Sequence, residues 1–185
     1  MALYGVAFAS TVAAPAQAEA LLDFSTGPIT VAGANEVVDL VGACTSVTIT
    51  ASTSVVRFTS ATMLDVRGAN NAITTGAVTT VAVAGSNNDL DTDTDTVAAA
   101  TLVGSNNTLT VAGKLTRTMV RGSDNKVTAA TGTRRVVRGA NDRSTYAKLD
   151  KATITGAKNT LRVSKGTTKV RNTCANNTIR VHRRR

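Results

Sequence analysis

Aliphatic residues recur at fixed distances from a short Gly-Ala/Ser-Asn-Asn motif along most of the chain. Counted from the motif's glycine, they stand two positions before it and five and seven positions after it. Apolar residues spaced by two on both sides of a turn predict two short strands per repeat, each with alternate side chains facing inward. Because one repeat cannot bury its apolar face alone, the repeats must stack on one another.

The motif marks the corner of each predicted repeat. It begins at residues 17 to 19 positions apart, namely Gly68, Gly85, Gly104, Gly122, Gly139 and Gly156, with a last copy at Cys174. Its fourth residue is asparagine in most copies, at Asn71, Asn88, Asn107, Asn125, Asn159 and Asn177. Gly and Asn tolerate the positive φ that a tight corner needs, and stacked Asn side chains can hydrogen-bond along a rod. These residues are therefore assigned a structural role.

Earlier copies of the motif are degenerate. Gly33-Ala34-Asn35 and Gly42-Ala43-Cys44 are interpreted as corners, which leaves an irregular coil between Gly42 and Gly68. With Gly42 as an anchor, the three aliphatic columns begin at Leu40, Val47 and Ile49.

The pattern predicts an all-β fold, a single-stranded parallel β-helix of about eight coils of roughly eighteen residues over 33–182. An amphipathic helix would need apolar spacings of three and four. A left-handed hexapeptide solenoid would need an aliphatic residue at every sixth position, which the columns do not show. The right-handed form is therefore favoured.

The two ends of the chain differ from the repeats. Residues 1–18 contain an apolar run followed by Ala16 and Ala18, which could form a small-residue cleavage site, and they are interpreted as a signal peptide or leader. Residues 19–32 are expected to form an N-terminal cap or first coil, and 183–185 a basic tail. We therefore expect a secreted or cell-surface protein.

Charge is distributed unevenly along the chain. The net charge is +9, but residues 1–113 carry −7 and residues 114–185 carry +16. A basic half indicates a surface that meets a polyanion. The candidate contacts are Arg121, Arg134, Arg135, Arg138, Arg162, Lys165, Lys169, Arg171, Arg180, Arg183, Arg184 and Arg185.

Residues suited to catalysis or to metal binding are few. The single histidine, His182, lies among terminal arginines, and no nucleophile-base pair or phosphate loop is visible. We therefore predict no enzymatic activity and no cofactor. Four aspartates alternate along one predicted strand and form a weak calcium candidate, although the glycine and closing glutamate of a calcium loop are absent: Asp89, Asp91, Asp93 and Asp95.

The Gly-x-Asn-Asn-x-Val rhythm and the early Gly42-Ala43-Cys44 segment resemble a family of exported bacterial proteins known as domain of unknown function 3060. The resemblance covers about residues 33 to 181. It implies an exported β-helix and brings no catalytic residues with it. The basic C-terminal half departs from the family pattern.

Together these observations predict a non-enzymatic, exported structural or surface-binding solenoid. Its basic half would contact an anionic polymer or the cell envelope. No small-molecule substrate is predicted, and nucleic acid is disfavoured for an exported chain. The alternative is a structural module that associates with itself head to tail, and a polysaccharide-acting enzyme is a more distant one.

Overall fold

The computed structural model describes residues 19–23 and 27–182, and within these ranges the chain forms strands and turns without a helix. The strands are β1 (Glu19–Asp23), β2 (Pro28–Val31), β3 (Val37–Ile49), β4 (Val55–Val66), β5 (Ala72–Ser86), β6 (Asp89–Thr92), β7 (Thr96–Ser105), β8 (Thr108–Ser123), β9 (Lys126–Ala140), β10 (Arg143–Ile154), β11 (Thr160–Val163), β12 (Lys169–Asn172) and β13 (Thr178–Val181). All paired strands run parallel, which is the arrangement of a β-solenoid.

The solenoid has about nine turns, one more than the sequence predicted. Each corner is marked by a residue with φ between 57° and 60° in the third position of the turn. These residues are Asn35, Thr53, Asn70, Asn87, Asn106, Asp124, Asn141, Lys158 and Asn176. Asparagine is common among them because its short polar side chain tolerates the left-handed region better than other non-glycine residues do.

The prediction that Gly42-Ala43-Cys44 forms a corner is wrong. This segment lies inside β3, where Cys44 is buried and pairs in register with Ala61. The corner lies instead at 51–54, where Thr53 has the positive φ and the Ser54 amide donates to Asn71 Oδ1. The irregular coil predicted between Gly42 and Gly68 therefore does not exist, since the corners at positions 33, 51 and 68 are regularly spaced.

The same correction moves the first members of the core columns. Leu40 stacks on Phe58, seven positions after a corner, and Ile49 stacks on Val66, two positions before one. Val47 stacks on Leu64 in a column that the sequence analysis did not identify. A further unpredicted column contains Cys44, Ala61, Val78, Val97, Leu115, Gly132 and Leu149. Five inward columns, not three, therefore fill the interior.

The corner glycines permit the close approach of neighbouring coils. A Cβ atom at Gly122 would overlap the carbonyl oxygen of Gly104 in the preceding coil. The fourth corner residue forms the predicted Asn ladder: Asn88 Nδ2 donates to Asn107 Oδ1 at 3.1 Å and to the Gly68 carbonyl at 2.9 Å. The ladder satisfies buried polar groups at the corner of every coil through which it runs.

The first described strands continue the stack. β1 and β2 both pair with β3, so these segments extend the solenoid on its N-terminal side. The predicted leader, 1–18, and basic tail, 183–185, lie outside the described residues. Within the described part, no helix has the length and apolar character needed to cross a membrane.

Candidate functional site

Four basic residues form a straight row along the solenoid. Each stands five positions before a corner, and the register stacks them in successive coils: Arg117, Arg134, Lys151 and Lys169. All four are exposed. Neighbouring coils are ~4.8 Å apart, so the row presents one cation at every strand spacing. We call it the long row.

A shorter row runs beside it. Arg121 and Arg138 stack in register, are exposed, and stand one position before their corners. Each stands four positions after its counterpart in the long row on the same extended strand, which sets the two rows about 13 Å apart at the Cα atoms. We call this pair the short row.

A shallow groove of about 380 Å³ lies between the rows. Its floor includes Thr101, Met119, Val136 and Thr153, which stack in one outward column. Met119 and Val136 are half-buried apolar side chains. Arg171 follows Thr153 in the same column and brings a further cation to the C-terminal end of the floor. We call this surface the basic groove.

No acid neutralises the basic groove within the described residues. Among the described residues, the ion pairs are Arg57 with Asp39 at 3.5 Å and Arg67 with Asp65 at 2.7 Å, and both lie in the N-terminal half, outside the groove. The groove cations therefore face solvent without an ion-pair partner in the described part of the chain, and the local potential is positive.

The predicted contact residues do not all share this surface. Arg134 and Arg138 line the groove, and Arg121, Lys169 and Arg171 stand in the same stacked columns. Arg162, Lys165 and Arg180 lie on other parts of the coils, outside the groove.

Arg162 on β11 and Arg180 on β13 stack in register. β11 pairs with the first part of β10 and β13 pairs with β11, whereas β12 pairs with the last part of β10. Lys165 is exposed just after β11 and is not part of the groove. The terminal arginines 183–185 lie outside the described residues.

Arg135 was predicted to contact a polymer, and its placement contradicts that prediction. Its side chain is fully buried in the solenoid, in the column that also contains Thr118 and Ala152. Its three guanidinium nitrogens have no hydrogen-bond partner among the described residues. Burial lowers the pKa of Arg135, while the neighbouring Tyr146 and Asp142 act in the opposite direction. Strand alternation explains the error, because Arg134 faces solvent and Arg135 must then face inward.

The sequence analysis missed two members of the long row, Arg117 and Lys151. Their signal was present, because each stands five residues before a corner, as Arg134 and Lys169 do. Counting only the positions next to the glycine found the short row and overlooked the longer one.

The four aspartates do not form one strip. Asp89 and Asp91 are exposed on β6, but that strand ends at Thr92, so Asp93 and Asp95 lie on the connection to β7. Among the described residues, no group of three or more His, Cys, Asp or Glu side chains is arranged to hold a metal ion.

Comparison with known proteins identifies a family. The model for DUF3060, described as a protein of unknown function, matches residues 31–87 and 102–152, more than half of the chain. The chain belongs to the DUF3060 family. No curated protein and no solved structure matches it. The second DUF3060 segment contains Arg117, Arg134 and Lys151 of the long row.

The two cysteines lie in distant coils and are both free. The sequence analysis interpreted both as corner residues. This is confirmed for Cys174, which is exposed at the corner marked by Asn176, and is wrong for Cys44, which is buried within β3. Burial also raises the pKa of the Cys44 thiol.

Thiol labelling should therefore proceed in two steps. In the native protein, one equivalent of a thiol reagent should react quickly at Cys174, and Cys44 should react only after denaturation. Peptide mapping of the labelled chain assigns each step. Fast labelling of both thiols, or of Cys44 first, would contradict the placement of Cys44 in the core.

Proposed function

We propose that this chain is a non-enzymatic, exported solenoid that binds an anionic polymer of the cell exterior through the basic groove. The long row supports this proposal most directly. Four stacked cations at a regular spacing form a linear array, and a linear array matches a charged chain better than it matches a compact ligand.

The open, shallow shape of the groove also supports binding of a polymer. The groove is open along the solenoid axis and shallow, so a chain longer than the groove can lie in it without threading through the protein. Small-molecule sites, in contrast, enclose most of the surface of their ligand.

A paired charge reversal tests the proposal. Arg117→Glu combined with Arg134→Glu inverts the N-terminal half of the long row and should lower the affinity for heparin, a model polyanion, by about tenfold or more. The matched control is Arg162→Glu combined with Arg180→Glu, which makes the same change in net charge on two neighbouring coils outside the groove. Titrations at several salt concentrations should show a steep salt dependence in the parent and a shallower one in the groove variant.

Equal losses in the two variants would show that net charge alone determines binding and would contradict a groove site. Binding by the parent that does not weaken with salt would contradict an electrostatic contact altogether. Head-to-tail association, the alternative function, is followed in the same samples: it predicts a particle mass that rises with protein concentration without any polymer present.

A further inference from the structure

We infer that the polymer is an anionic polysaccharide, whose sugar rings lie on the groove floor and whose charged groups reach both rows. The inference rests on the proposed function and specifies the class of ligand. Three features of the groove carry it: the two-sided placement of the cations, the composition of the floor, and the open axial course.

The separation of the rows selects a ligand with charges on both edges. Arg117 and Arg121 belong to one strand, and so do Arg134 and Arg138, with each pair about 13 Å apart at the Cα atoms. The side chains of these pairs are long enough to lean toward the groove from opposite sides. A polyuronate or sulfated glycan carries acidic groups on alternate edges of a flat chain, so one strand of polymer can meet both rows.

The groove floor favours a ligand that has apolar surface as well as charged groups. Met119 and Val136 are half-buried and apolar, and they lie between the two cation rows. A pyranose ring has faces of C–H groups that can cover such side chains, together with hydroxyls that can bond to Thr101 and Thr153. Apolar contact of this kind removes surface from water and is favourable.

Other linear polyanions fit these features less well. Polyphosphate carries charge around its whole circumference and offers the apolar floor no partner. An extended acidic polypeptide that directs alternate side chains toward the two rows turns the N–H and C=O groups of one backbone edge toward the apolar floor residues, which offer them no hydrogen-bond partner. Either polymer would bind through charge alone.

The experiment compares three polymers with the same number of charges per chain: polygalacturonate, inorganic polyphosphate and polyglutamate. Each is titrated with the full chain and with the floor variant Met119→Gln combined with Val136→Thr, which keeps side-chain size and removes the apolar surface. We expect the parent to prefer polygalacturonate, and the floor variant to bind it about fivefold more weakly. Its affinity for polyphosphate should be unchanged.

Met63→Gln is the matched control, because Met63 is an exposed methionine on an outward strand position, two coils beyond the N-terminal end of the groove. Thermal unfolding of every variant shows whether the fold is retained. If the parent binds all three polymers equally and the floor variant behaves like the parent, the polysaccharide inference is wrong while the basic groove keeps its function. If the parent binds none of them, both proposals are wrong.

Discussion

Leu109→Asp should reduce the free energy of unfolding by about 4 kcal/mol or more, or prevent folding. Leu109 is completely buried and stacks between Leu90 and Val127 in the column five positions after the corner. An aspartate there would lie inside a stack of aliphatic side chains with no counter-ion, and its carboxylate would lose its hydration. Chemical denaturation monitored by circular dichroism measures the change.

The matched control is the neighbouring residue. Thr108→Asp places the same side chain one position earlier, where it faces outward between Asp89 and Lys126 of the adjacent coils. We expect a change of less than about 1 kcal/mol. If both variants unfold like the parent, or if both are equally damaged, the assignment of inward and outward positions is wrong.

The architecture could be predicted because each coil repeats the same pattern of inward and corner residues in the sequence. A parallel solenoid places residues of equal coil position on top of one another, so each inward column appears as an aliphatic residue at a constant distance from the corner. Val66, Val83 and Leu102 show this clearly. Handedness leaves no comparable trace in the spacing of residues and stays a prediction.

The missed corner at 51–54 shows where sequence reasoning failed. It has alanine in place of glycine, threonine at the positive φ, and Ser54 where the ladder has asparagine. Backbone geometry is kept there although each characteristic residue is replaced, because Ser54 still takes part in the hydrogen bonding of the corner: its amide donates to Asn71 and its Oγ accepts from Glu36. A search for residue types therefore selected Gly42, which has a suitable neighbour but lies within a strand.

The positive charge of the candidate site could be predicted from the sequence, but the set of residues that forms the site could not. The charge asymmetry indicated a basic surface, yet it did not distinguish Arg134, which faces the groove rim, from Arg135, which faces the core. It also did not join Arg117 to Lys169, since these residues are brought into one row only by the stacking of four coils. The strand register determines which basic residues lie next to one another in successive coils, and composition alone does not contain this information.

A buried polar cluster interrupts the aliphatic core. Arg135, Asp142, Ser144 and Tyr146 lie in or next to the core of neighbouring coils, where most inward residues are aliphatic. Asp142 holds a ladder position. Its Oδ1 accepts hydrogen bonds from Asn125, but its Oδ2 has no partner, whereas Nδ2 at the neighbouring ladder positions donates to a glycine carbonyl.

The contributions of Arg135 and Asp142 to the free energy of unfolding are expected to depend on each other. Burial raises the pKa of Asp142, and the hydrogen bonds from Asn125 and the positive charge of Arg135 partly offset that rise. The folded state therefore holds a proton at Asp142 more tightly than the unfolded chain does. Its contribution to stability is greatest below the unfolded pKa of about 4 and falls as the pH rises through the higher, folded pKa.

A double-mutant cycle measures this dependence. Arg135→Met removes the buried cation and keeps an unbranched side chain, and Asp142→Asn restores the amide donor of the ladder. The double variant should be the most stable of the four proteins, by about 1–4 kcal/mol over the parent at pH 7, because apolar replacement of buried charges is often stabilising. Asp142→Asn alone should gain less, since it leaves Arg135 without its nearby acid. Both asparagine variants should lose the part of the pH dependence that Asp142 supplies. Single effects that add up to the double effect would show that the two residues do not interact, and an unchanged pH profile in Asp142→Asn would show that folding does not raise the pKa of Asp142.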